Sequence, residues 1–334
     1  MIACHPFYRK KGDIMKTIAA EKSIKKTDKK SFRETLRIMW IRDKWLYALL
    51  IPGIVYFLLF KYAPMGGVII AFKNYVPFLG ILDSEWVGFD HFIQFFSSPD
   101  FGRLLGNTLA ISFLSLAVGF PAPIFLAVLL NEVRFSIYKR LVQTSVYIPH
   151  FLSWTIVVGL THLLFSVDGG VIVEMVQNIF GVRINFLADP NWFRPLIILQ
   201  GVWKGAGWGT IIFLAAMSNV SPEQYEAAIM DGAGRFRRIW HITLPAIRST
   251  IVIMLILNMG SVLNTGFDQI FLMMNPLNRT VADVFDTYVY NVGITRGSYS
   301  YSTAVGLFKS LVGIILILTT DFIAKKVDED SGLF

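Results

Sequence analysis

Six stretches of this chain are each long and apolar enough to cross a lipid bilayer, and they limit every other reading of it. They fall at about 46–62, 107–130, 141–165, 195–217, 247–272 and 303–323. A crossing helix needs roughly 20 mainly apolar residues, because the hydrocarbon core is about 30 Å thick. No water satisfies backbone groups there, so these segments fold as helices. Residues 109–130 carry no charge, and 251–257 read Ile251-Val252-Ile253-Met254-Leu255-Ile256-Leu257. Only 16% of the chain is charged, against about 25% in soluble domains. The expected architecture is an all-α membrane protein with six transmembrane helices over 45–325. A basic tail (1–44) precedes this domain and a short tail (326–334) follows it.

Charge placement orients the helices. The net charge is +8, but 13 of the 31 Lys and Arg lie in residues 1–44. A basic tail beside a membrane segment marks the cytoplasmic face and anionic lipid rather than nucleic acid. With that tail inside, the four inside segments carry 22 Lys and Arg and the three outside segments carry 6. Both termini are therefore expected in the cytoplasm of a cell whose plasma membrane holds the chain. The tail is too long and polar for a secretory signal, and Met15 offers a second possible start. The single cysteine, Cys4, excludes an internal disulfide. The outside loops are rich in aromatics, among them Trp86, Phe89, Phe92, Phe95 and Phe96. These read equally as a cover for the outer mouth and as an interfacial belt.

The inside loop 218–246 carries the most legible local structure. Ser221 is a good N-cap, Pro222 suits the first helical position, and Gln224 fits a capping box. Glu223 and Glu226 favour the first turn through the helix dipole. A short helix is expected from 222 to about 231, ended by Gly232 and Gly234. Ala227, Ala228 and Gly232 are small enough to let another backbone approach. Physics alone leaves a docking peg and an ordinary membrane-lying loop both open.

Glu226-Ala227-Ala228, then Gly232, then Ile242, Leu244 and Pro245 resemble the EAA signature of bacterial ABC-importer permeases, with matching spacing. In that family the loop forms the coupling helix that fits a groove on the ATPase. The resemblance implies that Glu226 faces the ATPase and that Ala227, Ala228 and Gly232 permit close packing. The five helices after the first look like the core of the MetI-like permease fold of type I importers. Val202-Trp203-Lys204-Gly205-Ala206-Gly207-Trp208-Gly209-Thr210, Gly266-Phe267-Asp268-Gln269-Ile270, Asn275-Pro276 and residues 282–290 are similar to the LplB-type subgroup among MalF/UgpA-like sugar permeases. That likeness implies a carbohydrate cargo, an oligosaccharide above all. It also implies a second permease subunit as a heterodimer partner, two ABC ATPase subunits and an extracellular solute-binding lipoprotein. ATP and Mg would sit on the ATPase, with no cofactor on this chain.

Polar residues inside the spans are costly and mark function or pairing. Lys204 lies about mid-bilayer, facing a cavity or a partner such as Asp268, with Trp208 one turn away as a ring face. Asp268, Gln269, Asn258 and Asn264 form a possible polar path for sugar hydroxyls. Lys204, Trp208, Asn264, Asp268 and Gln269 are the path candidates. Gly201, Gly205 and Gly209 make a smooth stripe for helix packing, or a flexible gate. Lys309 and His150 read as interhelical hydrogen-bonding residues. No P-loop, CxxC, HExxH or GxSxG pattern occurs, and the five histidines lack metal-ligand spacing. The chain is not expected to be an enzyme. A non-sugar cargo and, more remotely, a stand-alone secondary transporter remain the alternatives.

Overall fold

The structure is a computed structural model that describes residues 44–327. Of the expected tails at 1–44 and 326–334, residues 1–43 and 328–334 lie outside the described part. The chain divides at residue 66 into two units. The first holds helix α1 (Lys44–Phe57), which contains Pro52 and buries none of its own residues. A helix apolar all round is one that lipid or another subunit covers.

The second unit begins in a 3-10 turn (Gly66–Phe72), followed by a two-stranded hairpin, β1 (Lys73–Asn74) antiparallel to β2 (Glu85–Trp86). Next come α2 (Asp90–Ser97) and α3 (Pro99–Leu114), whose N-cap Ser98 accepts a hydrogen bond from the Asp100 N–H. A π-turn at Ser115–Gly119 joins α3 to α4 (Pro121–Glu132). Pro121 has no N–H to continue the regular ladder, so a wider turn is inserted there. After α4 come α5 (Ser136–Tyr147) and α6 (Trp154–Phe165). The chain turns by 103° between them. The sequence predicts one helix over 141–165, and the structure breaks it. Ile148–Phe151 tightens into a 3-10 turn around Pro149, and the Ser153 hydroxyl starts α6 afresh by accepting from the Ile156 N–H at 3.3 Å.

A short amphipathic helix, α7 (Val171–Phe180), leads to the longest uninterrupted element before the C-terminus, α8 (Pro190–Ser218). Asp189 caps α8 by accepting from the Asn191 N–H at 2.9 Å. The loop helices α9 (Pro222–Met230) and α10 (Arg235–Arg238) follow, then α11 (Arg248–Gly260). The expected span 247–272 is also broken. It stops at Gly260, runs through turns at 261–266, and resumes as α12 (Phe267–Met273) after Gly266, which sits at φ +86°. Ser261, Asn264 and two glycines are poor helix formers, and this φ excludes a helix. Helix α13 (Phe285–Tyr290) and the long α14 (Tyr299–Val327) complete the chain.

By length and composition, Lys44–Phe72, Pro99–Glu132, Pro190–Ser218 and Tyr299–Ile323 are long enough to cross a membrane. The number rises to six if each of two bent pairs is one span, 136–165 and 235–260. Helix α8 packs along α4 and α5. The aromatic residues between the first two expected spans do not behave as one group. Phe95 is buried and meets Phe101 and Phe285 edge to face, while Trp86 and Phe89 stay exposed around Phe72.

Candidate functional site

The loop after α8 presents one short helix, and its two ends are made differently. At its start the structure departs from the expected capping box: Ser221 makes no side-chain cap bond, and the Gln224 N–H instead takes the Ser221 carbonyl at 3.2 Å. At its end α9 closes in a Schellman motif. The Ala233 N–H reaches back to the Ala228 carbonyl at 2.8 Å, and the Gly232 N–H to Ile229 at 3.0 Å. Gly232 adopts φ +74°. That left-handed conformation disfavours any side chain, so Gly232 is required by the backbone as well as being small.

Beyond the turn the chain returns to the bundle. Leu244 packs on the buried cluster of Ala127, Phe213, Met217 and Ile247. The Tyr225 and Thr243 hydroxyls lie 3.0 Å apart and fasten α9 to the returning segment. Pro245 supplies no N–H, and the preceding Ile239–Thr243 widens into a π-turn. Among the predicted loop residues, Ile242 and Leu244 thus face the bundle in part, whereas Glu226, Ala227, Gly232 and Pro245 are exposed. Four large apolar side chains near them are exposed as well: Ile229, Met230, Phe236 and Trp240, the last three by 70–90%. A cluster of this kind at one loop marks a surface that another protein or the membrane covers.

Within the helices, a cavity of about 260 Å³ lies between α3, α8 and the break after α11. Its polar lining comes from Ser112, Ser115, Asn258, Ser261, Asn264 and Gln269. A second cavity, about 280 Å³, shares Gly119, Phe120, Gly201 and Asn258 with the first and reaches His150 and Trp208. Of the five path candidates, Asn264, Gln269 and Trp208 line this space, while Lys204 and Asp268 do not. Asp268 is exposed on α12 and makes no hydrogen bond or ion pair among the described residues.

Lys204 does something else. Its ammonium donates to the carbonyls of His150, at 2.7 Å, and Leu152, and lies over the Trp154 ring at 5.5 Å. The last carbonyls of a helix have no partner within it and carry its negative dipole end, so a cation is well placed there. Lys204 therefore clamps the break between α5 and α6. Its ring face is Trp154 rather than Trp208, which stacks on His150 with centroids 4.5 Å apart. Lys309 pairs with Asp286 of α13.

The glycine stripe on α8 also divides. Only Gly209 packs tightly: a Cβ there would meet the Pro123 ring at 2.9 Å. Gly201 and Gly205 have open space beside them and line the second cavity. The tightest glycine is Gly207, where a Cβ would run into the Val146 carbonyl. Sequence spacing did not mark it, since it lies off the stripe. A buried polar relay was missed too. Gln269 donates to Gln200 at 2.9 Å and to the Ile197 carbonyl at 2.7 Å, and Gln200 donates to Thr161 at 2.7 Å. Gln200 and Thr161 sit in apolar runs with no motif to flag them.

A broken-helix bundle, an intramembrane cavity and an exposed interhelical loop with an apolar face together define a membrane permease built to be driven from outside itself. Residues 119–329 match the family described as binding-protein-dependent transport system inner membrane component, and the chain belongs to that family. It is thus a component of a transport system and not an enzyme. Protein LplB of Bacillus subtilis (strain 168) is 65% identical over 293 residues, covering 88% of this chain and 92% of that protein. The polygalacturonan/rhamnogalacturonan transport system permease protein YteP of the same organism is 56% identical over 302 residues, covering 90% of this chain and 94% of its own. A crystal structure of a bacterial ABC transporter involved in import of the acidic polysaccharide alginate contains a chain that superimposes with a TM-score of 0.81 at 41% identity. The match covers 88% of this chain and 99% of that one.

Proposed function

We propose that this chain forms part of the translocation path of an ATP-driven oligosaccharide importer and takes its drive from a separate ATPase through loop 218–246. The observation that carries the coupling half is α9. It is closed by Gly232 in a left-handed turn, tied down by Tyr225, and surrounded by exposed Met230, Phe236 and Trp240. Glu226, Ala227 and Ala228 would meet the ATPase, while Ile242, Leu244 and Pro245 would return the loop to the bundle. ATP and Mg would be held by that ATPase and not by this chain. The excess of Lys and Arg on this side supports cytoplasmic placement for the loop and both termini.

The cargo half rests on the linked cavities. Asn258 and Asn264 offer amide groups, Gln269 its carbonyl oxygen, and Trp208 an aromatic face, which is the pairing that sugar hydroxyls and ring faces accept. A relative named for polygalacturonan and rhamnogalacturonan transport and a neighbour involved in alginate import support a saccharide. A second structure of the alginate transporter holds a pentasaccharide-bound periplasmic protein. It supports an external solute-binding protein as a partner here, beside a second permease and two ATPase subunits.

Reconstitution tests this reading against a stand-alone transporter. Liposomes holding this chain with its second permease, ATPase and binding protein should take up labelled oligogalacturonate only with internal ATP. The chain alone should show no uptake under proton or sodium gradients. Gradient-driven uptake by the isolated chain would overturn the proposal.

A further inference from the structure

A second basin lies away from the intramembrane cavities, between the β1 segment, α2 and the start of α14. It has a volume of about 490 Å³, within the range of small-ligand sites. Its walls are aromatic. Tyr75 and Tyr299 meet edge to face with centroids 6.1 Å apart, and the Tyr288 and Tyr301 hydroxyls lie 3.3 Å apart. The basin is built rather than incidental. Tyr301 belongs to the buried cluster around Phe95, and the Tyr75 N–H donates to the Ser300 hydroxyl at 2.9 Å, which ties one wall to the other. Gly297, at φ +74°, turns the chain between Arg296 and the start of α14.

Three planar polar groups at this basin are unengaged, whereas His91, also in its lining, holds its Nε2 3.2 Å from the Lys73 carbonyl. The Arg296 guanidinium and the Gln94 and Asn74 amides make no side-chain hydrogen bond or ion pair among the described residues. No carboxylate lines the basin among those residues. Tyrosine faces beside amide donors and acceptors suit pyranose rings and their hydroxyls. A lone guanidinium without a competing acid suits a carboxylate, which it can bind with two parallel hydrogen bonds.

We infer that this basin is an outer subsite for a uronic acid residue of an oligosaccharide, with Arg296 on the carboxylate and Tyr299 and Tyr75 on the ring. The inference rests on the importer reading, which puts the segments 63–106 and 273–302 on the outer side. It adds a site that the intramembrane cavities do not contain. A uronate would pause there between the binding protein and the path within the helices.

The test uses the complex with its second permease and ATPase in nanodiscs, without the binding protein, titrated calorimetrically with tri-galacturonate and with neutral galactotriose. The wild type should bind the acid more tightly. Arg296→Gln should weaken tri-galacturonate about ten-fold and leave galactotriose unchanged. Arg296→Lys should recover part of the loss, and Asn258→Ala, in the inner cavity, should leave the outer binding in place. Equal affinity of Arg296→Gln and wild type for tri-galacturonate would overturn the subsite. So would loss of all binding in Asn258→Ala, or an equal weakening of tri-galacturonate and galactotriose by Arg296→Gln. Retention of the ATPase by the same wild-type preparation separates the two readings: its absence would sink the importer, whereas its presence with no acid preference would sink the subsite alone.

Discussion

Lys204 shows how one side chain can hold a membrane helix in two pieces. The bend between α5 and α6 frees carbonyls at His150 and Leu152, and the ammonium satisfies them. A hydrogen bond to a charged group contributes about 1.5–3 kcal/mol, and an unsatisfied buried carbonyl costs about 1–3 kcal/mol. Lys204→Met should therefore lower the stability of the purified complex by about 2–3 kcal/mol. It would read as a reduced melting temperature by intrinsic fluorescence. Lys204→Arg should retain most of it, because a guanidinium can still donate to several carbonyls. Unchanged melting in Lys204→Met would show that the clamp carries no weight. Gly207 makes a second prediction. A methyl group there meets the Val146 carbonyl, so Gly207→Ala should cost about 1–3 kcal/mol and reduce yield. Gly205→Ala, with open space beside it, should be tolerated in the same expression assay. The sequence alone singled out Lys204 as costly but not what it holds, because its partners are backbone carbonyls with no side-chain signature.

At the scale of elements, the sequence is most legible where apolar length decides the outcome. Runs at 107–130, 195–217 and 303–323 fall within the helical spans Pro99–Glu132, Pro190–Ser218 and Tyr299–Ile323. It is least legible where a span is interrupted. Hydropathy averages over Pro149 and over the 260–266 turn, and both breaks are held by tertiary hydrogen bonds, from Lys204 to the His150 carbonyl and from the Ser112 hydroxyl to the Val262 carbonyl. Helix α9 falls between these cases. Pro222 and Gly232 fixed its ends in advance, but the capping box did not form. The role of Gly232 as the left-handed residue of a Schellman turn is visible only in the backbone. The same distinction governs the candidate site. Amides such as Asn264 and Gln269 could be picked out as polar groups in apolar runs, whereas the Gln200–Thr161 relay is defined by which helices meet.

For the whole molecule, the charge bias gives a topology that labelling can check. Cys4 is the only cysteine, so Cys4→Ser provides a clean background. In intact cells a membrane-impermeant maleimide should label Ser298→Cys, beside the outer basin, and spare Gln224→Cys in the coupling loop until the membrane is opened. The opposite pattern would invert the orientation and remove the physical basis for an ATPase on the α9 side. The exposed apolar surface of α1 fits the same picture, since a helix that buries nothing in its own chain needs lipid or the second permease around it.

The coupling role of loop 218–246 is tested most directly by asking whether the ATPase stays with the complex during affinity purification when Gly232 is changed. A left-handed φ of +74° costs about 1–2 kcal/mol for most side chains and less for Asp or Asn, and Asp also adds charge to the docking face. Gly232→Asp should lose most of the ATPase and most ATP-dependent uptake, with the two permeases still paired. Gly232→Asn, which also fits the left-handed region but adds no charge, should keep a larger share of both. Full retention of ATPase and uptake in Gly232→Asp would contradict the coupling role assigned to this loop.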